Sequence, residues 1–265
     1  MRPAFRVTSR ARFHAPEVRA PGQDLVLSGE EFHHLRHVLR LQVGDTLSLF
    51  DGIGKGFQAS LVEMDRQRAV LKVGAEELPS PESPLELHLG LALAKGEKLD
   101  LMVQKGTELG VFAFHPLATR RSDLKLDSER AESRLNRWRR VALEACKQSG
   151  RTRIPEIFPP VALSSFLERQ LPAHRLLLHP DGEPASGLLQ GALILGAASL
   201  LAAVGPEGGW SPDELQLLER GGFRGMCLGP RVLRAETAAI IAAGMLQFCA
   251  GDLGRGSGSL PPRPA

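Results

Sequence analysis

Two apolar segments, residues 199–204 and 226–228, each run into a glycine–proline bend and then into a helical pattern. The first continues as Gly205-Pro206-Glu207-Gly208-Gly209-Trp210, with Ser211 as a helix cap, Pro212 at the first helical position and Glu214 completing a capping box. The second continues as Gly229-Pro230-Arg231-Val232-Leu233-Arg234 and opens a helix at Ala235. A strand that ends in a loop and feeds a helix is the repeating unit of a parallel sheet covered on both faces. The rest of residues 85–250 follows the same alternation. Residues 85–94 read as a buried strand, 97–109 as a helix stopped by Gly110, and 128–149 as a long helix stopped by Gly150. Leu135, Trp138, Ala142 and Ala145 form the apolar face of that long helix. Residues 164–171 read as a short helix, 174–178 as a strand, 212–220 as a helix and 235–249 as the last helix. The expected fold class is α/β with a mainly parallel sheet.

Pro79, Pro81 and Pro84 crowd into residues 78–84, which continue neither a helix nor a central strand and read as a linker. Residues 1–77 ahead of it read mostly as β: strands at 24–27, 46–50, 57–64 and 69–73, with a turn at 51–56. Ser28 and Glu31 form a second capping-box pattern, opening a short helix to Val38. Short strands at this spacing predict a small barrel. Residues 251–265, rich in Gly, Ser and Pro, read as a loose tail.

Hydrophobic residues are 43% and charged residues 24% of the 265, ordinary globular usage that excludes disordered, collagenous and fibrous classes. No apolar run approaches the ~20 residues that span a bilayer. Residues 1–12 carry Arg2, Arg6, Arg10 and Arg12 without an apolar segment or a cleavage site, so no signal peptide and a cytoplasmic location are expected. Cys146, Cys227 and Cys249 lie far apart and read as buried thiols rather than zinc ligands or disulfides. His33, His34 and His37 lack further ligands at helix spacing, so no metal site is expected. The net charge is +3 and most of the basic residues are arginine, whose planar fork suits phosphates.

Ligands of open parallel sheets bind at the carboxyl edge of the strands, where both glycine–proline loops would sit. Neither loop is GxGxxG or a P-loop, and Glu207 inside the first repels phosphate, so a nucleotide-dependent enzyme is disfavoured. The competing reading is a tight strand-to-helix turn. The second loop brings Arg231, Arg234 and Glu236 to the same edge, where the plainer reading is solvated arginines and an acid favouring a helix start. Arg134, Arg137, Arg140, Lys147, Arg151 and Arg153 form a basic tract that outruns its helix. It suits RNA phosphates or a solvated face. Aromatics are 5% and Tyr is absent, so stacking of bases on aromatic side chains is not expected to dominate.

Five stretches also occur in a recognisable order. They are His33-His34-Leu35 with Val38-Leu39-Arg40-Leu41 and Gly44-Asp45; Lys95-Gly96-Glu97-Lys98 through Gln104-Lys105-Gly106-Thr107-Glu108-Leu109-Gly110; Glu144-Ala145-Cys146-Lys147-Gln148-Ser149-Gly150-Arg151; the Gly205 loop; and Leu228 through Ala238. Together they resemble the ribosomal RNA small subunit methyltransferase E family, of the SPOUT class of RNA methyltransferases. Arg120-Arg121-Ser122 departs from it, because the family usually has Glu before Arg-Ser. The resemblance implies a PUA-like RNA-binding β-barrel followed by a sheet domain with a carboxy-terminal trefoil knot. It implies S-adenosyl-L-methionine held by Leu178, His179, Gly205, Pro206, Glu207, Gly208, Leu228, Gly229, Val232, Leu233 and Arg234. It also implies a homodimer and methylation of uridine N3 in 16S ribosomal RNA, free or within the small ribosomal subunit. On that reading Glu236 is the candidate base with Glu207 in reserve, Arg234 steadies developing charge, and Arg140, Lys147, Arg151 and Arg153 dock RNA. The alternative is a non-catalytic RNA-binding or ribosome-assembly factor, which would neither bind the methyl donor nor transfer a methyl group.

Overall fold

A computed structural model describes residues 7–77, 82–122 and 128–255. Most of the proline-rich linker and all but the first residues of the carboxy-terminal tail lie outside the described residues. The chain divides into two units, Met1–Glu82 with Cys146–Ile154, and Ser83–Ala145 with Pro155–Ala265. The return of Cys146–Ile154 to the first unit is not visible in the linear pattern.

The first unit is a five-stranded sheet. Its strands are β1 (Val7–His14), β2 (Asp24–Ser28), β3 (Thr46–Phe50), β4 (Gly56–Met64) and β5 (Arg68–Glu76), with α1 (Gly29–His33) and a π-helical turn (His34–Val38) after β2. The order is β1-β3-β4-β5-β2. β1 runs parallel to β3, and the other pairs are antiparallel. Alternating residues supply the core, among them Leu25 and Leu27 on β2 and Ala69, Leu71 and Val73 on β5, packed with Phe13, Leu49, Phe57 and Leu61. Sequence pattern missed β1 because arginines interrupt it. Arg12 is held by Glu77 at 3.4 Å and by the main-chain oxygen of Arg151 at 3.2 Å.

One capping box fails to form. Ser28 occupies the cap position of α1 without a side-chain cap bond, and Glu31 instead takes the Lys147 ammonium at 2.6 Å. Glu82 is the clip for the returning segment. Its Oε2 accepts from Arg151 Nε (3.1 Å) and Nη2 (2.8 Å), while Oε1 accepts the main-chain N–H groups of Thr152 and Arg153, both at 2.9 Å. Cys146 is buried, and burial pushes its thiol up to about 12. Cys227 and Cys249 are partly exposed, against the expectation of three buried thiols.

The second unit is a seven-stranded sheet in which every pairing is parallel. In chain order it runs β6 (Glu86–Ala92), α2 (Lys98–Glu108), β7 (Ala113–Ala118), α3 (Ser128–Ser149), β8 (Glu156–Ile157), β9 (Val161–Ala162), α4 (Leu163–Leu167), β10 (His174–Pro184), α5 (Ala185–Leu188), α6 (Ala192–Leu195), β11 (Ser199–Val204), α7 (Pro212–Arg220), β12 (Phe223–Cys227) and α8 (Ala235–Ala250). α3 begins in this unit and its last residues belong to the first. The strand order is β12-β10-β11-β6-β7-β8, with β9 also on β7. The near-continuous burial of β6, β7 and β11 is what two covered faces require.

The sequence gives no warning of β7, because Pro116 lacks a ladder donor. The structure accommodates it at a gap. Phe114 O accepts from Phe158 N at 3.0 Å, so the main chain at even-numbered positions faces β8 and β9. β8 pairs Ala113 and Phe114, β9 pairs Leu117 and Ala118, and Pro116 falls between them. Gln247 on α8 is fully buried, accepting from Ser83 Oγ (2.6 Å) and donating to Gly110 O (3.0 Å). It ties the last helix to the start of β6 and the end of α2. Gly251, first in the expected tail, packs directly on Gln247.

His88 and His115 meet across β6 and β7 at 3.0 Å, and His115 stacks on Phe158 with centroids 4.5 Å apart. Burial, then His88, then Arg169, lower His115 to about 3, and burial also lowers His88. His115 is therefore neutral in the fold, whereas the unfolded chain takes up its proton near the ordinary 6.5. Its contribution to stability is complete above pH 6.5 and falls as pH drops from there toward 3, by at most about 1.4 kcal/mol per pH unit. Urea unfolding of the wild type should show about 2 kcal/mol less stability at pH 5 than at pH 7 from this group. His115→Gln should flatten that difference; an unchanged pH dependence would exclude His115 as its source.

Candidate active site

Three neighbouring strands, β12, β10 and β11, end at the same edge, and the loops after them wall a cleft of about 1010 Å³. The carboxyl edge of a parallel sheet is where this architecture receives ligands. On β10 the pairing with β12 shifts, so that Leu178 and Glu183 both oppose Met226, and the residues between them loop out at the cleft. Gly182 is obligatory there, since a Cβ would lie 2.5 Å from Met226 N.

The loop after β11 is braced at every turn. Gly205 lies under the Trp210 indole, where a Cβ would sit 2.9 Å from Nε1. Gly209 adopts φ 69° and donates to Pro206 O at 2.8 Å. The Ser211–Glu214 capping box forms as the sequence predicts, and Glu214 Oε1 also accepts from Arg120 N at 2.7 Å. Arg121 Nη1 donates to Gly208 O at 2.8 Å and to Trp210 O at 3.3 Å. Lys98, in the first turn of α2, forms an ion pair with Glu207. Arg120, the departure from the family pattern, pairs with Asp213 at 2.6 Å on the surface.

Leu178, His179, Gly205, Pro206, Glu207, Leu228, Gly229, Val232, Leu233 and Arg234 all line the cleft. Gly208 does not; its carbonyl is turned to Arg121. Val232 stands at the edge and is 92% exposed. Arg234 caps α8 by position, and its main-chain oxygen accepts from Ala238 N at 2.9 Å. Glu236, in the first turn of α8, is absent from the lining, but its Oε2 is buried without a hydrogen-bond partner. Arg121, Trp210, Met226 and Cys227 line the cleft without having been singled out as binding residues. Only Trp210 carried a local signal, its place inside the glycine loop.

The basic tract is not one open surface. Lys147 is paired with Glu31, its side chain 11% exposed, and Arg151 is buried on Glu82. Both charges hold the first unit together, which corrects their reading as RNA-docking groups. Arg153 is half-buried and its main chain is also held by Glu82. Arg137 is engaged by Glu97 and Asp100. Arg140 is exposed on α3, in the second unit.

An RNA methyltransferase domain model matches residues 81–247, and an RNA methyltransferase PUA domain model matches residues 27–74. The ribosomal RNA small subunit methyltransferase E of Synechocystis is 35% identical over 221 residues, which cover 82% of this chain and 71% of the relative. The chain belongs to the ribosomal RNA small subunit methyltransferase E family. Among solved structures of similar proteins, the Legionella pneumophila putative methyltransferase in complex with SAM superposes with a TM-score of 0.83 at 37% identity, over 91% of this chain and 98% of that one. The Neisseria gonorrhoeae member of the family, bound to S-adenosyl methionine, gives a TM-score of 0.83 at 32% identity, over 92% and 99%. The family models thus fall on both units, the PUA model within the first and most of the methyltransferase model on the second.

Proposed function

We propose that this protein transfers a methyl group from S-adenosyl-L-methionine to N3 of a uridine in 16S ribosomal RNA. The observation that carries the reading is the single cleft walled by three adjacent strand-end loops. Its volume suits a cofactor of this size. Leu178, Val204, Met226, Leu228 and Leu233 offer apolar surface for an adenine ring. Gly205 is pressed to the indole, so any side chain there would push Trp210 out of its place in the cleft wall. Arg121 and Arg234 are cations suited to an amino-acid carboxylate. The cofactor supplies an already activated methyl on a sulfonium, which leaves as a neutral thioether.

The chain's own residues must orient the uridine and remove its N3 proton. Glu207 is engaged by Lys98, whereas Glu236 keeps one buried oxygen without a partner. Glu236 therefore takes the N3 proton, and the new bond forms between N3 and the methyl carbon. The charge that spreads onto O2 and O4 is steadied by Arg234, which is exposed and meets no side-chain partner among the described residues. N3 lies on the Watson–Crick edge, so the target base must be unpaired or extruded.

The finer architecture belongs to the same proposal. The five-stranded first unit would close as a PUA-like barrel. A trefoil knot would lie at β10 and β12, a reading supported by the contact of Gly182 with the β12 backbone. Ile241 (44% exposed) and Phe248 (66% exposed) on α8 give an apolar face for a homodimer. Sedimentation of Phe248→Asp should then show monomers. Among the described residues no helix is long and apolar enough to cross a membrane. The enzyme would act in the cytoplasm, on free RNA or on the small subunit. Arg140 and Arg153 remain its candidate RNA contacts. Mass mapping of 16S RNA, with and without the protein, tests the reading. One 3-methyluridine should depend on it; an unchanged modification map would reject the assignment.

A further inference from the structure

We propose that the loop from Gly229 to Arg234 is an RNA wedge: Val232 fills the base stack where the target nucleotide leaves it, and Arg231 holds a neighbouring phosphate. The proposal rests on the RNA-methylating reading above. Val232 is 92% exposed, more than any other large hydrophobic residue described. It stands at the mouth of the cleft, on a segment that starts with Gly229 at φ 130° and the fixed bend of Pro230. Arg231 and Arg234 flank it, both exposed, and neither side chain meets a partner among the described residues.

Charge selects the occupant. Arg121, Arg231 and Arg234 line this cleft, and its acid Glu207 is already neutralised by Lys98. A mouth so positive suits a polyanion. A second copy of the same loop across a two-fold axis would set guanidinium against guanidinium. An exposed aliphatic between two cations is also the pattern proteins use to enter a base step, with the apolar group replacing the lost stacking and the cations gripping the backbone on either side. Chemistry on the Watson–Crick edge creates the need, since extruding a base leaves a gap that something must fill.

The test uses the full chain with two RNAs: a folded 16S transcript and a short unstructured oligoribonucleotide carrying the target uridine unmethylated. With S-adenosylmethionine saturating, Val232→Ala should slow turnover on the folded transcript about tenfold and spare turnover on the unstructured RNA, so the ratio of rates on unstructured to folded RNA rises about tenfold. Val232→Leu should restore the wild-type ratio. Arg231→Gln should weaken RNA binding and reduce the slope of log affinity against log salt by about one. A wild-type ratio in Val232→Ala would overturn the wedge. So would loss of turnover that accompanies a shift to monomers in sedimentation, which would assign Val232 to contact between copies. A wild-type protein that methylates neither of these RNAs nor small ribosomal subunits lacking the modification would overturn the functional reading itself.

Discussion

Glu236→Gln should slow methyl transfer by about 10²–10⁴-fold while leaving fold and cofactor affinity in place. Glutamine keeps the size and the hydrogen-bonding reach of the side chain and removes only its ability to take a proton. The buried Oε2 without a partner sits in the first turn of α8, two residues beyond Arg234. Arg234→Ala should cost about 10²–10³-fold by the loss of charge stabilisation. Single-turnover transfer with both substrates saturating separates these effects from binding. A Glu236→Gln enzyme within about threefold of wild type would move the base elsewhere, and Glu207→Gln would be the next variant to measure.

Glu82→Ala should destabilise the first unit by about 3–5 kcal/mol, the usual cost of removing one partner from a buried ion pair. The carboxylate is 11% exposed and the Arg151 side chain 5% exposed. Its removal takes away the carboxylate that pairs with that guanidinium and accepts from the main-chain N–H groups of Thr152 and Arg153. Glu82→Gln keeps part of the hydrogen bonding and should lose less. Urea unfolding gives the energies, and amide exchange at residues 152 and 153 reports where the loss occurs. A change below about 0.5 kcal/mol in Glu82→Ala would show that the segment is held by other contacts.

The two capping boxes show what local pattern can and cannot specify. Ser211 and Glu214 bond each other even though the Arg120 N–H takes the second carboxylate oxygen of Glu214, and Pro212 presets the first turn. Ser28 and Glu31 have the same spacing, but a lysine more than a hundred residues later takes the acid. The same distance effect misplaced Lys147 and Arg151: a run of cations is visible in sequence, whereas the carboxylates that neutralise them are not. β3 and β11 were legible from their apolar patterns, and β1 and β7 were hidden by arginines and by Pro116. Two of the three cleft loops were marked by their glycine–proline bends. The third, after β10, has no such mark, and Leu178 and His179 came from family resemblance alone. Arg121 and Lys98 reach the Gly205 loop from other elements, so no spacing within that loop announces them.

Titration calorimetry with S-adenosylmethionine on the full chain probes the cleft most directly, with Gly205→Val beside the wild type and circular dichroism confirming that both are folded. Wild type should bind the donor at one site per chain. The variant, whose new Cβ would fall 2.9 Å from Trp210 Nε1, should lose the site. No heat of binding from folded wild-type protein, or equal binding by the valine variant, would contradict a cofactor pocket built from these strand ends.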